Sequence, residues 1–281
     1  MGSLDTFMQL RAQLVSLAYR MLGSTSEAED VVQESWLRWQ DTDDTSVRSP
    51  RAWLSTVVGR LCLDRLKSAH ARRERYVGTW LPDPVATAEP IDRESISFAF
   101  LVLLERLTPV ERAAFLMHQV FDYSHAEIAA ALEMSEAAVR QAFHRAKGHL
   151  DDHKPRFAPS PEQHARVLGA FAAALTQGNL EGMLRLLADD ATLCADSGGK
   201  VRGAAMRTVE GSQRVAKFLV GLVEKSEVDP DLVFEIRELN GWPTLVARNR
   251  EHVIAVISIE TDGDKIVAIR NVVNPDKLAL P

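Results

Sequence analysis

Over the first seventy residues, apolar positions return every three or four residues. Phe7, Leu10, Leu14, Leu17, Ala18 and Met21 make one such stripe, and Gly23 ends it, which predicts a helix up to that point. Ser26 is a good N-cap followed by glutamates, and it opens a second predicted helix through Val31, Val32 and Trp36. A polar loop from Asp41 to Pro50 leads into a third, with Leu54, Val57, Val58, Leu61 and Leu66 facing inward. Between Gly78 and Pro90 the pattern stops. Pro82 and Pro84 forbid a continuous helix there, so an extended linker is predicted. Trp80 is large for a flexible segment and is expected to pack against another domain.

Helical periodicity resumes over Asp92–Leu107, Pro109–Phe121, His125–Leu132 and Ser135–Leu150, with Thr108 as an N-cap before Pro109. A second proline-bearing linker, Lys154–Pro161, precedes a change of character. Helices are predicted over Pro161–Gln177 and Asn179–Ala188, then a short strand and a helix over Ser212–Lys225. Strand-like runs follow at Leu232–Leu239, Thr244–Arg248, Val253–Glu260 and Ile266–Val273, the last two joined by the hairpin dipeptide Asp262-Gly263. The pattern therefore predicts two all-helical units and then an α+β unit.

Within the second helical unit, Ile128 and Leu132 on one short helix and Val139 and Phe143 on the next give a helix-turn-helix pattern. On a helical wheel Val139, Ala142, Phe143, Ala146 and Leu150 share one face, while Gln141, His144 and Arg145 point away and Arg140 and Lys147 flank them. No acid lies between Val139 and Leu150, so this helix suits a major groove, with base edges at its start and phosphates along its basic side. A solvated helical hairpin would show much of the same pattern. On the third helix, Arg60, Asp64 and Lys67 stack at i, i+4 and i+7 as an exposed stripe that Arg72 and Arg73 extend. Asp64 could equally serve Arg60 and Lys67 as a local ion pair.

Charge sharpens this picture. The net charge of −6 argues against bulk electrostatic attachment to DNA. The distribution says more than the sum: Glu27 to Asp44 is acidic apart from Arg38, and Arg48 to Arg75 is strongly basic. Adjacent blocks of opposite sign suggest two partners of opposite charge. Cys62 and Cys194 form no metal-type pair and are expected to be small buried hydrophobes in a reducing cytoplasm. Neither a membrane span nor a secretory signal is expected.

The segments Ala18–Gly23, Glu27–Trp39 and Pro50–Leu66 closely resemble the second conserved region of extracytoplasmic-function sigma factors. Leu107–Phe115 through Ala138–Lys147 resemble their fourth, in the family's order and spacing. The resemblance implies a bacterial promoter-recognition subunit. Asp30, Gln33, Glu34 and Trp36 would bind the β′ coiled coil of core RNA polymerase, and the β flap is the second implied polymerase contact. Arg60, Asp64, Lys67, Arg72 and Arg73 would meet the −10 element, and the Asp41–Pro50 loop would capture an unstacked base. Ser135, Arg140, Gln141, His144, Arg145 and Lys147 would read the −35 element of promoter DNA. Glu133 stands where the family often has glycine, which predicts a turn of slightly different geometry.

The tail resembles the fused SnoaL-like domain of one subgroup, a cone of sheet and helices around a pocket. Three motifs carry this likeness: Trp80, Leu81, Pro82, Asp83 and Pro84; Asp196, Gly198, Gly199 and Lys200, with Ser197 replacing a glycine; and Asn274, Pro275, Asp276, Lys277 and Leu278. The resemblance implies that this domain docks on the sigma core and regulates it, with Trp80 as an interface anchor and a small-molecule ligand as a further partner its pocket would suit. The organisation expected is a region 2 domain over 1–77, a linker over 78–91, a region 4 helix-turn-helix domain over 92–153, a linker over 154–160 and a SnoaL-like domain over 161–281. No cofactor is expected and the chain is not expected to be an enzyme, since Asp189, Asp190, Asp196, His252 and Arg270 form no acid–base pair by spacing. Two other readings stand beside the sigma factor: a stand-alone helix-turn-helix regulator, and a SnoaL-like enzyme fused to a DNA-binding module.

Overall fold

The computed structural model describes residues 3–42, 47, 49–73, 76–86, 96–151, 160–225, 231–250 and 252–280, without the side chains of 69–73, 224 and 225. The chain divides into two compact units, one of residues 1–74 and 100–154, the other of residues 75–99 and 155–281.

In the first unit, α1 (Ser3–Leu22), α2 (Thr25–Gln40) and α3 (Pro50–Arg73) pack on one another. Leu14, Leu17, Met21, Val31, Val32, Leu54 and Val58 are each at most 2% exposed, worth roughly 1.5–3 kcal/mol per large side chain. Trp39 is buried among them, yet its indole N–H is satisfied, donating to the Ser3 carbonyl at 3.1 Å. Cys62 lies in this core as a free thiol, its pKa pushed up by burial.

The remaining helices of this unit are α4 (Phe98–Leu104), α5 (Pro109–Gln119), α6 (His125–Leu132) and α7 (Glu136–Asp151), the last two forming the helix-turn-helix. The helix predicted from Asp92 begins only at Phe98. Ile96 precedes it in a 3₁₀ turn and Ser97 in irregular backbone, and 92–95 lie outside the described residues. Ile96 is 3% exposed and its carbonyl accepts from the Asn240 side chain, so a residue distant in sequence fixes the chain just before the helix. Thr108 and Ser124 each close a capping box with the glutamate three residues on, Glu111 and Glu127. Glu133 ends α6 at φ 54°, ψ 44°, in the left-handed region. The expectation of an altered turn is therefore corrected: the glutamate adopts the conformation a glycine would take.

The second unit holds α8 (Pro161–Thr176), α9 (Leu180–Leu186), α10 (Ser212–Lys225) and a six-stranded sheet. Its strands are β1 (Leu187–Asp196), β2 (Val209–Glu210), β3 (Val233–Leu239), β4 (Trp242–Arg248), β5 (Val253–Asp262) and β6 (Lys265–Val272), in spatial order β2-β1-β6-β5-β4-β3. All neighbours are antiparallel except β1 and β6. The helix predicted to run through Ala188 ends at Leu186, because Leu187 already pairs with Ile266 in the sheet. Leu168, Phe171, Met183, Val215 and Leu219 of the helices cluster with Leu193, Leu245, Ile257, Ile259 and Ile269 of the strands. This is the SnoaL-like arrangement of helices on one face of a sheet. Among the described residues no helix is long and apolar enough to cross a membrane.

Candidate functional site

In the second unit the three tail motifs converge on one carboxylate. Asp196 ends β1, is 0% exposed, and accepts hydrogen bonds from the Tyr76 hydroxyl at 2.5 Å, the Leu81 amide at 2.9 Å, the Gly198 amide at 3.2 Å and Lys277 Nζ at 2.9 Å. Its backbone carbonyl accepts from the Val273 and Asn274 amides, both at 2.8 Å. Lys277 sits on the short 3₁₀ turn Pro275–Lys277, which the Asn274 side chain caps. From there its ammonium donates to the Leu81 carbonyl, lies 3.7 Å from Asp83 and stands 4.2 Å above the Trp80 ring. Lys200 pairs with Asp276 on the surface, and Leu81, Pro82, Asp83, Pro84 and Leu278 are all buried. Trp80 is thus an anchor within this unit.

Gly198 and Gly199, at φ 55° and 74°, form the turn after Asp196, and here glycine is required on two counts. A Cβ on Gly198 would stand 2.7 Å from Asn274 Nδ2, and one on Gly199 3.0 Å from Val77 Cγ1. The linker lies directly on this turn. Burial, together with the bond to Asp196, raises the Tyr76 pKa well above the usual tyrosine range, so it stays a hydroxyl donor.

Two further residues of this site escaped the sequence reading. Tyr76 has no motif around it. Asn240 does carry a signal, the Asn240-Gly241 dipeptide that turns β3 into β4, both residues having positive φ. Asn240 is 1% exposed; its amide donates to the Val85 carbonyl at 2.8 Å and its Oδ1 accepts from the Val85 amide at 3.1 Å. Asn240 Nδ2 donates to the Ile96 carbonyl at 3.1 Å.

In the first unit the acidic helix α2 leaves Asp30 and Gln33 exposed and Glu34 and Trp36 half-buried. Arg65 of α3 lies 3.7 Å from Asp30 and 3.9 Å from Glu34, and Trp36 packs its ring on Phe7 with centroids 4.8 Å apart. The basic stripe of α3 departs from expectation at Arg60. Its Nε donates to the Ala131 carbonyl and Nη2 to the Ala130 carbonyl at 3.0 Å, while Nη1 stands 3.1 Å from Glu133. Arg60 thus caps the C-terminus of α6, where exposed carbonyls favour a cation. It is half-buried where a free surface residue was expected. Asp64 pairs with Lys67 at 3.6 Å, as a local ion pair. The side chains of Arg72 and Arg73, and most of the Asp41–Pro50 loop, lie outside the described residues.

On α7 the side chain of Ser135 caps the helix start, accepting from the Ala138 amide at 3.2 Å. Arg140 pairs with Glu136 at 3.1 Å, and Gln141, His144 and Lys147 are exposed. Arg145 donates to the buried Glu111 at 2.8 Å. Burial alone would lift the Glu111 carboxyl, but the Arg145 and Thr108 bonds outweigh it and hold the pKa below the usual glutamate range. Arg112 of α5, 2% exposed, donates twice to the Arg20 carbonyl at the end of α1 and pairs with Glu105. Arg60 and Arg112 are therefore reciprocal caps: each closes a helix C-terminus of the other helical group.

Residues 6–73 match the family described as Sigma-70 region 2, and residues 97–150 that described as Sigma-70, region 4. Among curated proteins, the ECF RNA polymerase sigma factor SigJ of Mycobacterium tuberculosis is 40% identical over 96% of this chain and 91% of its own length. The probable ECF RNA polymerase sigma factor SigI of the same species is 31% identical over 95% and 92%. A crystal structure of the M. tuberculosis sigma factor SigJ superposes with a TM-score of 0.78 at 36% identity, covering 98% of this chain and 97% of that one. The region 2 match is what a stand-alone helix-turn-helix regulator would lack, and relatives aligned along nearly the whole chain are sigma factors. The chain belongs to the extracytoplasmic-function sigma factors, which work with core RNA polymerase and promoter DNA.

Proposed function

We propose that this sigma factor divides its work between α2, α3 and α7, and that its SnoaL-like domain regulates it by holding the linker between regions 2 and 4. Asp30, Gln33, Glu34 and Trp36 offer the β′ coiled coil an acidic face with one aromatic, and the region 4 helices would meet the β flap. Arg60, Asp64 and Lys67, extended by Arg72 and Arg73, serve the −10 element. Ser135, Arg140, Gln141, His144, Arg145 and Lys147 serve the −35 element. In the compact first unit Arg60 has its donors committed to Ala130, Ala131 and Glu133, so promoter binding exchanges those bonds for phosphates. The protein acts in the cytoplasm as a regulator without turnover of its own. A small-molecule ligand of the SnoaL-like domain would find an acceptor in Asn271 Oδ1, which is buried on the helix-facing side of the sheet without a hydrogen-bond partner.

The observation that carries the regulatory reading is Asp196, which draws residues 76–81 and the C-terminal turn onto one carboxylate. A linker so held is a folded strap. Promoter-dependent transcription by core polymerase, with the intact chain and with one ending at Pro159, tests this directly. A change in transcript yield or promoter preference is expected. Identical transcription from both would leave the SnoaL-like domain without a regulatory role.

A further inference from the structure

We infer that Asn240 is a length-setting pinch in the tether between the region 2 and region 4 modules. The inference rests on the reading above that the two modules serve separate promoter elements. Between the end of α3 at Arg73 and the start of α4 at Phe98 the chain passes through Val85 and Ile96, and one side chain holds both. Asn240 Oδ1 takes the Val85 amide at 3.1 Å while its Nδ2 gives to the Ile96 carbonyl at 3.1 Å. The backbone amide of Asn240 holds the Val85 carbonyl at 2.8 Å, and Ala86 bridges to Leu239 beside it.

The consequence is geometric. Val85 N and Ile96 O lie within about 9 Å of one another, two hydrogen-bond lengths plus the width of an amide. Fully extended, the eleven steps between those residues would span roughly 36–40 Å. The pinch therefore removes about 30 Å of available tether. On B-form DNA that equals roughly nine base pairs of element separation, at ~3.4 Å each.

The residue type suits the task. An asparagine amide carries an acceptor and a donor on one rigid plane, so it can bind an N–H on one side and a C=O on the other. At φ 51° Asn240 also occupies the left-handed position of a two-residue hairpin, which asparagine tolerates and few side chains do. Being 1% exposed, its bonds are shielded from competing water. Ile96 is itself 3% exposed, so the far end of the pinch is a seated residue.

Two substitutions separate the pinch from the fold. Asn240→Gly keeps the turn and deletes both side-chain bonds, and Asn240→Asp keeps the acceptor for Val85 while losing the donor to Ile96. In the full chain, spin labels at Ala86→Cys and Ser97→Cys report the pinch, since Cys62 and Cys194 are both buried. Holoenzyme transcription from promoters whose spacing between the −10 and −35 elements is varied base pair by base pair reports the reach. The expected result is a short label distance in the parent chain that broadens by 10 Å or more in both variants. A transcription profile extended toward longer spacings should accompany it. An unchanged label distance in Asn240→Gly overturns the inference. So does a broadened distance with an unchanged spacing profile, or loss of transcription at every spacing with an unaltered melting temperature. If the parent chain yields no promoter-dependent transcript, the reading of the two surfaces fails instead, and the label distance alone still decides whether Asn240 holds the tether.

Discussion

Asp196→Asn is nearly isosteric, so its effect on the strap can be worked out bond by bond. The carboxylate accepts from Tyr76, Leu81, Gly198 and Lys277. An asparagine has one oxygen. With Oδ1 turned toward Tyr76 and Gly198, its Nδ2 faces the Leu81 amide and the Lys277 ammonium, donor against donor; the other rotamer sets Nδ2 against the Gly198 N–H and takes the acceptor away from the Tyr76 hydroxyl. Lys277 side-chain exposure is 10%, so it loses its nearest counter-ion in a largely dry site, although Asp83 at 3.7 Å and the Trp80 face at 4.2 Å remain. Breaking one partner of a buried pair costs about 3–5 kcal/mol, and the surviving contacts place this case near the lower end, about 3 kcal/mol. At 1.4 kcal/mol per decade, local opening of residues 76–86 should become about a hundredfold more frequent. Hydrogen exchange of the full-length protein, read on peptides covering 76–86, measures this opening. Protection there should fall by about two decades while peptides from α1 to α3 keep theirs. Removing both charges with Asp196→Asn and Lys277→Met should cost less than the two single effects added together. Unchanged protection of 76–86 in Asp196→Asn would refute the assignment of Asp196 as the anchor.

Other outcomes follow from the same contacts. Gly198→Ala, with a Cβ 2.7 Å from Asn274 Nδ2, should loosen the same peptides, whereas Gly203→Ala, also at positive φ but with nothing within 4 Å, should not; equal effects would mean backbone strain alone is at work. Glu111 has a depressed pKa, so its contribution is present above the unfolded value of 4.5 and is lost as pH falls through the folded one. Glu111→Gln should cost about 1 kcal/mol at pH 7 and flatten the acid limb of the region 4 unfolding curve; parallel acid limbs in both proteins would count against this. Glu133→Lys removes the ion pair of Arg60 while leaving its bonds to the Ala130 and Ala131 carbonyls, and by loosening α3 from α6 should tighten apparent core binding about two- to fivefold, the scale of one exposed ion pair. An unchanged affinity in a holoenzyme titration would show that these bonds do not hold the modules closed.

Local pattern made the helices legible, because each of α1 to α3 buries one face at 3.6-residue spacing and is bounded by loop or cap residues. It likewise made the β5–β6 hairpin legible through Gly263, although the turn residues are Gly263 and Asp264, with Asp262 already paired with Lys265. Prediction failed where neighbours distant in sequence decide the outcome. Ser97 lies in a run that reads as helix yet stays outside it, and Leu187 leaves a helical pattern to pair with Ile266. The linker motif announced itself through Trp80, but its target did not. Tyr76 and Asp196 are 120 residues apart, and Val85 and Asn240 are 155 apart, so no local periodicity links them. Arg60 illustrates the same limit on the helical side: its place on the basic stripe was plain, whereas its bonds to the end of α6 depend on how two helical groups pack. The capping boxes at Thr108 and Ser124 were readable, since both show the Ser/Thr-x-x-Glu signature.

The most direct test of the account separates its two surfaces. Purified core polymerase is titrated with the intact chain, with Asp30→Lys/Glu34→Lys and with Arg140→Ala/Arg145→Ala, reading co-elution and promoter-dependent transcripts together. The account predicts that the acidic-helix variant loses co-elution, and that the α7 variant co-elutes normally yet loses transcription from promoters that depend on the −35 element. Loss of core binding by the α7 variant, or full binding and transcription by the acidic-helix variant, would contradict it.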